Sequence, residues 1–499
     1  MEMKFLNKPI KCLNPFFSQV NTQEQTQEIR LPDAYPDIGK VLGCWGQILI
    51  RGKEWRSTSM SANGGVMAWV MYAPEDGTQP RIIDVWIPFQ CRWDFPEQID
   101  DGVMIVHPML SNLDGRGISA RKIMVRAGID LFAQAMSKHT MEIPTPGDIP
   151  EDIQLLTNSY PVELPMEAGE KQVQIEEIMP MTGNLQPVHK IIRYQMFPMI
   201  AEQKVISNRL VFRGQIGVKI SYLTQDGAIC QWDTEIPFSQ FTELDQDYST
   251  TATAWVMPVL TAMEMDVTEE QQLRIRCSIA VQYTIFDRTV MDIVEDAFSP
   301  NRDVSIKIEN VRIPILLDST SVDLPVNTIL KSNVDQVEFI SVHAEHPVVH
   351  VNGDGLEIRM DGQFTALYTN PDNMLTGENV RFESAVPFFS APENEIQLWP
   401  GFPMETEVLP GSDGYTLRGN YPMMIQVYSG ENVPMVTELE FGELKQPDPH
   451  RPSMILRRAG EESLWSIAKD YGSTVSAIQE ANQLRGEPEK GQMLLIPIP

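Results

Sequence analysis

Residues 214–238 read GQIGVKISYLTQDGAICQWDTEIPF. The run VKISYL sends alternate side chains to opposite faces, the pattern of a half-buried strand. Asp226-Gly227 follows, and both residues accept the backbone angles of a tight turn. The chain then returns to Pro237-Phe238. The stretch therefore predicts a β-hairpin. Residues 64–89 (GGVMAWVMYAPEDGTQPRIIDVWIPF) and 362–388 (GQFTALYTNPDNMLTGENVRFESAVPF) share its outline. Each runs from a glycine through Tyr72, Tyr222 or Tyr368 to a turn. Each ends on Pro88-Phe89, Pro237-Phe238 or Pro387-Phe388. The third lacks the Asp-Gly of the other two and reads with a longer loop, NPDNMLTGEN. In every copy the proline should end ladder pairing and the phenylalanine should enter the core.

The copies lie about 150 residues apart, which means tandem domains and not a solenoid. Other segments recur with them. VELPM (162–166) resembles VDLPV (322–326), and a late strand repeats at 120–134, 273–286 and 414–428. Strand-like alternation dominates, with DRTVMDIVEDAF (287–298) as one short helix candidate. The predicted fold is mainly β: three tandem β-sandwich-like domains over 1–145, 160–305 and 310–445. A linker over 446–453 leads to a small α+β (βααβ) module over 454–499. Proline-rich joins at 141–154 and 443–453 read as semi-extended spacers. No comparable gap separates the second and third domains, so they read as a rigid pair.

With 499 residues the chain needs several cores. It carries 68 acidic residues against 39 Lys plus Arg, a formal net charge of -29. That excludes a general nucleic-acid binder, which needs a basic face. No apolar run reaches the length of a membrane span, and none follows the early lysines as in a signal peptide, so a cytosolic location is expected. Cys12, Cys44, Cys91, Cys230 and Cys277 are scattered with no C-x-x-C pair, which predicts free thiols and no zinc site. His343, His346 and His350 lie close in sequence. On a strand, however, His343 points away from the other two, so they read as surface or turn-adjacent and not as metal ligands. No G-x-S-x-G, P-loop or dinucleotide glycine pattern occurs. The reading is no enzyme and no cofactor.

The C-terminal module predicts strand, helix, helix, strand. MILRR (454–458) opens it, and Ser463 can cap a helix by accepting from free backbone N–H groups. Leu464, Ile467, Ala468 and Tyr471 form one apolar face. Gly472 suits the helix end. Thr474 caps a second helix carrying Ile478 and Ala481, and GQMLLIPIP (491–499) closes the module. Trp465 lies one step off the apolar face. It reads either as core cover or as an aromatic anchor for a partner. Arg457 and Arg458 are the basic residues nearest it on the N-terminal side.

This pattern resembles the LysM domain, through Gly460, Ser463, Leu464, Ile467, Ala468, Tyr471, Gly472, Ile478, Ala481, Asn482, Leu484, Gly491, Gln492, Leu494, Ile496 and Pro497. Where the family has Gly-Asp-Ser/Thr-Leu, this chain has Gly460-Glu461-Glu462-Ser463-Leu464, one residue more. In the family that loop is one wall of an N-acetylglucosamine groove, and the loop after the second helix is the other. The resemblance implies that Gly460, Glu461, Glu462, Ser463, Leu464, Trp465, Asn482, Leu484, Arg485 and Gly486 bind a partner or a glycan. The upstream repeats, taken with this module, resemble the spore-coat-associated SPOCS domain, and the organisation is similar to that of the SipL-type family. That resemblance implies a non-catalytic adaptor in spore coat or envelope morphogenesis, on the mother-cell side of the forespore surface. Its LysM domain would bind a coat-assembly protein such as the basement-layer ATPase. The alternative is a cell-wall protein that binds peptidoglycan or N-acetylglucosamine.

Overall fold

The computed structural model describes residues 2–3, 6–145, 147, 149–181, 186–313, 315–353, 355–391, 393–403, 406–429, 432–446 and 450–498. Within these, β1 (Glu2–Met3) is a short strand. β2 (Leu6–Arg30), β3 (Ile38–Arg56), β4 (Ser59–Pro74), β5 (Arg81–Asp94), β6 (Gly102–Ser119) and β7 (Lys122–Thr145) follow. They form two sheets, β3-β4-β5 and β2-β7-β6. Apolar side chains of both sheets, such as Ile48, Val66, Val125 and Ile129, face each other in one core. This is a sandwich, built from alternating strands that each bury one face.

A second sandwich repeats the order. It contains β8 (Gln154–Pro180), β9 (Lys190–Ile206), β10 (Arg209–Leu223), β11 (Ile229–Glu243), β12 (Thr253–Val267) and β13 (Gln272–Phe298), arranged as β9-β10-β11 and β8-β13-β12. The third has the same plan with strands broken in two. It contains β14 (Arg302–Arg312), β15 (Leu316–Leu330), β16 (Gln336–Ala344), β17 (Val348–Asn352), β18 (Gly355–Thr369), β19 (Leu375–Phe388), β20 (Glu395–Pro400), β21 (Thr406–Gly411), β22 (Gly414–Tyr428) and β23 (Asn432–Leu444). The pair β16 and β17 takes the place that β3 has in the first sandwich, and β20 with β21 that of β6. Pro347 falls in the first break and Pro403 in the second, where a missing N–H interrupts a ladder. The β14–β23 ladder extends beyond the β15–β22 ladder. The join placed between 305 and 310 thus falls inside β14.

The hairpins form where the alternation predicts them. Tyr72 and Tyr222 are buried, and each donates its hydroxyl to a backbone carbonyl 36 residues upstream, at Pro36 (2.9 Å) and Gln186 (3.2 Å). The glycines have a steric reason. Gly64 pairs with Phe89, Gly214 with Phe238 and Gly362 with Phe382. At each, a Cβ would run into the carbonyl oxygen of the neighbouring strand, that of Leu49, Met199 or His343, and would touch the phenylalanine ring. The aromatic ring covers the gap the glycine leaves. In the third hairpin this partner is Phe382, and not the expected Phe388, which pairs with Leu356. The shift has a plain cause. The turn spans only 370–374, closed by Asn370 Oδ1 accepting from Asp372 N (3.1 Å) and Met374 N (2.8 Å). Residues 375–379, read as loop, are strand.

Two further expectations are corrected. Pro88 and Pro237 do not end their ladders, since β5 runs on to Asp94 and β11 to Glu243. Both strands lie at a sheet edge, where a proline can turn its missing N–H away from the ladder. Residues 287–298 are not helical. They are the end of β13, paired with β8, with Met291 and Ile293 buried and Val290 and Asp292 exposed. That is a two-residue period carried by β-branched side chains.

The sandwiches are not beads on a string. One core cluster contains Trp45 and Trp69 of the first, Ile216 and Ile275 of the second, and Phe339 and Leu367 of the third. The ends of the three long ladders share another, with Cys12 and Ile143, Val162 and Met291, and Val433 and Met435. Buried amides lock the joins. Gln47 accepts from Met196 N (2.8 Å) and donates to Met196 O, and Gln282 does the same to Val106 (2.9 Å each). Arg193 reaches Ile340 O (3.1 Å), Gln363 reaches Leu113 O (3.0 Å), and Asp130 accepts from His346 N (2.8 Å). Each sandwich therefore touches both of the others. The join at 141–154 is no free spacer at its start, because Met141–Thr145 continues β7 against β2. Of the linker placed at 446–453, residues 447–449 lie outside the described residues.

Candidate functional site

The module consists of β24 (Met454–Arg458), α1 (Leu464–Tyr471), α2 (Val475–Asn482) and β25 (Met493–Pro497), with β24 antiparallel to β25. Its order is βααβ. The caps are those the sequence predicts. Ser463 Oγ accepts from Ser466 N (3.2 Å), Thr474 Oγ1 accepts from Ala477 N (3.1 Å), and Gly472 ends α1 in the left-handed region at φ 62°. Leu464, Ile467, Ala468, Ile478, Leu494 and Ile496 are buried in one small core. Ala481 is exposed, so α2 buries less than its pattern suggests.

The ten candidate residues do not converge on one empty groove. Leu464 is core. Asn482 is spent on the fold: its Nδ2 donates to Ile478 O (2.8 Å) and Leu495 O (2.6 Å), and its Oδ1 accepts from Leu495 N (2.7 Å). Ser463 caps α1, and Leu484 packs on the core rim. Glu461, Glu462, Arg485 and Gly486 are exposed, while Gly460 is half-buried. Glu461 pairs with Lys490 (2.6 Å) and Glu462 with Arg457 (2.7 Å). Bonding to its own backbone N–H, then the Arg457 charge, hold the Glu462 carboxyl below the usual range. A carboxylate outside the expected set ties the loops together. Glu487 accepts from Leu464 N (2.7 Å), satisfying a free donor at the start of α1.

Trp465 is not a free anchor. Its indole N–H donates to Asp296 Oδ2 (2.8 Å), and its ring meets Phe298 edge-on at 4.8 Å between centroids. Lys469, one turn along α1, pairs with the same carboxylate at 2.7 Å. Phe298 belongs to the core cluster of the module. The module thus docks on the end of β13, in the second sandwich, although it follows the third in sequence. A bulge between Val294 and Asp296 leaves Glu295 as the extra residue there. A bulge of this kind re-aims the side chains around it. Glu295 turns to Tyr160 and Asn158, and Asp296 meets the module. Sequence reading missed Asp296, Phe298, Lys469 and Glu487. Two of them fell inside the supposed helix, where no local pattern pointed to a tryptophan 169 residues away.

The histidine reading is corrected as well. His343 and His346 are buried, and only His350 is exposed. The ring of His346 stacks on Phe132 at 5.3 Å. Among the described residues no group of three or more His, Cys, Asp or Glu is placed to hold a metal ion. All five cysteines are free. No helix among the described residues is long and apolar enough to cross a membrane.

Comparison with known families bears on both parts. Residues 187–268 match the family model described as SipL, SPOCS domain, and residues 459–497 match the LysM domain. The first match takes in β9 to β12 of the second sandwich. No curated protein and no solved structure matches the chain. The LysM match suggests binding to glycan or peptidoglycan, and the SipL match suggests a role in sporulation. Both are non-catalytic binding domains.

Proposed function

We propose that this chain, which pairs a SipL-type SPOCS domain with a LysM domain, is a non-catalytic adaptor in spore coat or envelope assembly. In this reading the three sandwiches are three domains of one kind, with β14 counted in the third. The protein works in the producing cell, at the forespore surface. Its module binds a coat-assembly protein such as the basement-layer ATPase. The observation that supports this best is the charge of the loops left open while the module is docked. The Glu461 side chain is 81% exposed, and the two loops carry Glu461, Glu462, Glu487 and Glu489 against Arg485 and Lys490, a net negative charge. A protein partner can supply the cations such a surface attracts. An N-acetylglucosamine chain offers amides and hydroxyls but no cation.

Glycan binding by the same loops is the second reading, and the LysM match favours it. Against it stands Glu487, which already bridges the two loops at Leu464 N. The test is capture of tagged full-length protein from sporulating cells, beside binding to purified peptidoglycan. The adaptor reading expects a coat-assembly protein to co-purify. It also expects Glu461→Lys with Glu462→Lys to slow that capture and lower its salt dependence. Tight binding to peptidoglycan, with no coat-assembly protein recovered, would overturn it.

A further inference from the structure

Where the three sandwiches meet lies a cavity of about 350 Å³, with no residue of the module in its wall. Its walls come from all three: His107 and Met109 from the first, Arg193 and Phe197 from the second, Ser341 and His343 from the third. Exposed Gln231 and Asp233 and half-buried Lys219 stand at its solvent side. Lys219 and Asp233 face each other across the β10–β11 ladder.

The polar groups of this cavity are poorly matched within the fold. Arg193 is 3% exposed. Its guanidinium makes three hydrogen bonds, to Ser221 Oγ (3.3 Å), Gln195 Oε1 (2.5 Å) and Ile340 O (3.1 Å), all neutral acceptors. A guanidinium has five N–H donors, so some remain. Asp233 is close enough for its charge to be felt, yet no carboxylate among the described residues forms an ion pair with Arg193. Burial pushes the Arg193 pKa down to about 10, so the group is still a cation at neutral pH. Three other wall residues, each at least nine-tenths buried, keep an atom with no partner among the described residues: His107 Nδ1, Ser341 Oγ and His343 Nε2. Buried polar groups are rarely left so, and a buried charge normally has a counter-charge. Phe197, Phe402 and Tyr421 add apolar wall.

We propose that this cavity binds a small organic carboxylate. Its charged end meets Arg193, Ser341 and His343, and its apolar body lies against Phe197, Phe402 and Tyr421. An anion offsets the guanidinium charge, which a neutral molecule cannot do. The site is independent of what the module binds, and it uses residues of all three sandwiches, so its ligand would tie them together.

Benzoate is a suitable probe for the full-length protein, with benzamide as its neutral isostere and inorganic phosphate as an anion without an apolar body. Calorimetric titration should show one saturable benzoate site. Benzamide and phosphate should bind about tenfold or more weakly by comparison. Ser341→Ala should weaken benzoate on the order of tenfold, the loss of one hydrogen bond to a charged group. It should not lower the thermal midpoint, because the hydroxyl has no partner among the described residues. Absence of a saturable benzoate site would overturn the proposal, and so would equal binding of benzamide or phosphate. An unchanged benzoate affinity in folded Ser341→Ala would do the same. The probe comparison stands on the unmodified protein, whatever that variant does.

Discussion

The chain has two kinds of internal interface, and they differ in what they bury. The sandwiches meet through tryptophans, phenylalanines and reciprocal amide bonds inside shared cores. The module meets the body through one tryptophan, one lysine and one aspartate, beside a single phenylalanine. A shared core cannot be opened without exposing apolar surface to water. A contact of the second kind exposes little apolar surface beyond Phe298 and the Trp465 ring when it opens. The body should therefore behave as one cooperative unit and the module as a separable one.

The largest expected effect tests that separation. Leu464→Ala removes a fully buried side chain from a small core, costing about 2–5 kcal/mol. Small modules have thin margins, so the module should unfold. The body should keep its protection from hydrogen exchange. Loss of protection in the sandwiches as well would merge the two units.

Acid should act the other way round. His107, His343 and His346 sit at the junction, and burial lowers all three, the first to about 3 and the second to about 4. Unfolded, they titrate near 6.5. Below that pH the unfolded chain binds protons the folded body refuses. Stability is therefore full above about pH 6.5 and falls towards pH 4, by about 1.4 kcal/mol per pH unit for each of His107 and His343, with His346 adding in the same direction. The module, over 454–499, contains no histidine. Pulse proteolysis in urea at pH 7 and pH 5.5 should show the body losing stability and the module holding. His343→Gln should flatten the slope for the body.

The smallest effect concerns the contact between the two units. Trp465→Ala deletes the bond to Asp296 and the edge contact with Phe298. It should weaken docking by about 2 kcal/mol, the scale of one hydrogen bond to a charged group. The fold of the module should survive, since Trp465 lies at the rim of its core. Faster exchange at 293–298, with α1 unchanged, is the expected signature.

What the sequence discloses follows the range of the interactions. The helices of the module were legible because their caps, Ser463, Gly472 and Thr474, act over three or four positions. The hairpins were legible from alternation. Their register in the third copy was not, because Asn370 closes a shorter turn than the loop composition suggests. The helix assigned to 287–298 failed because a short apolar run has no decisive period, and its pairing with β8 is set from far away. The choice between the two readings of Trp465 was out of reach for the same reason. Its position off the helix face was visible, but Asp296 and Phe298 were not. The junction left no local mark at all: Gln47, Gln282 and Arg193 look like ordinary polar residues on strands.

Hydrogen exchange followed by mass spectrometry across a series of urea concentrations tests the central contrast most directly. The account predicts that peptides from β4, β10 and β18 lose protection at one common urea concentration. Peptides from α1 and α2 should open at a lower one, with a smaller dependence on urea, as a smaller exposed surface requires. Three separate midpoints for the three sandwiches, or one midpoint shared by body and module, would contradict it.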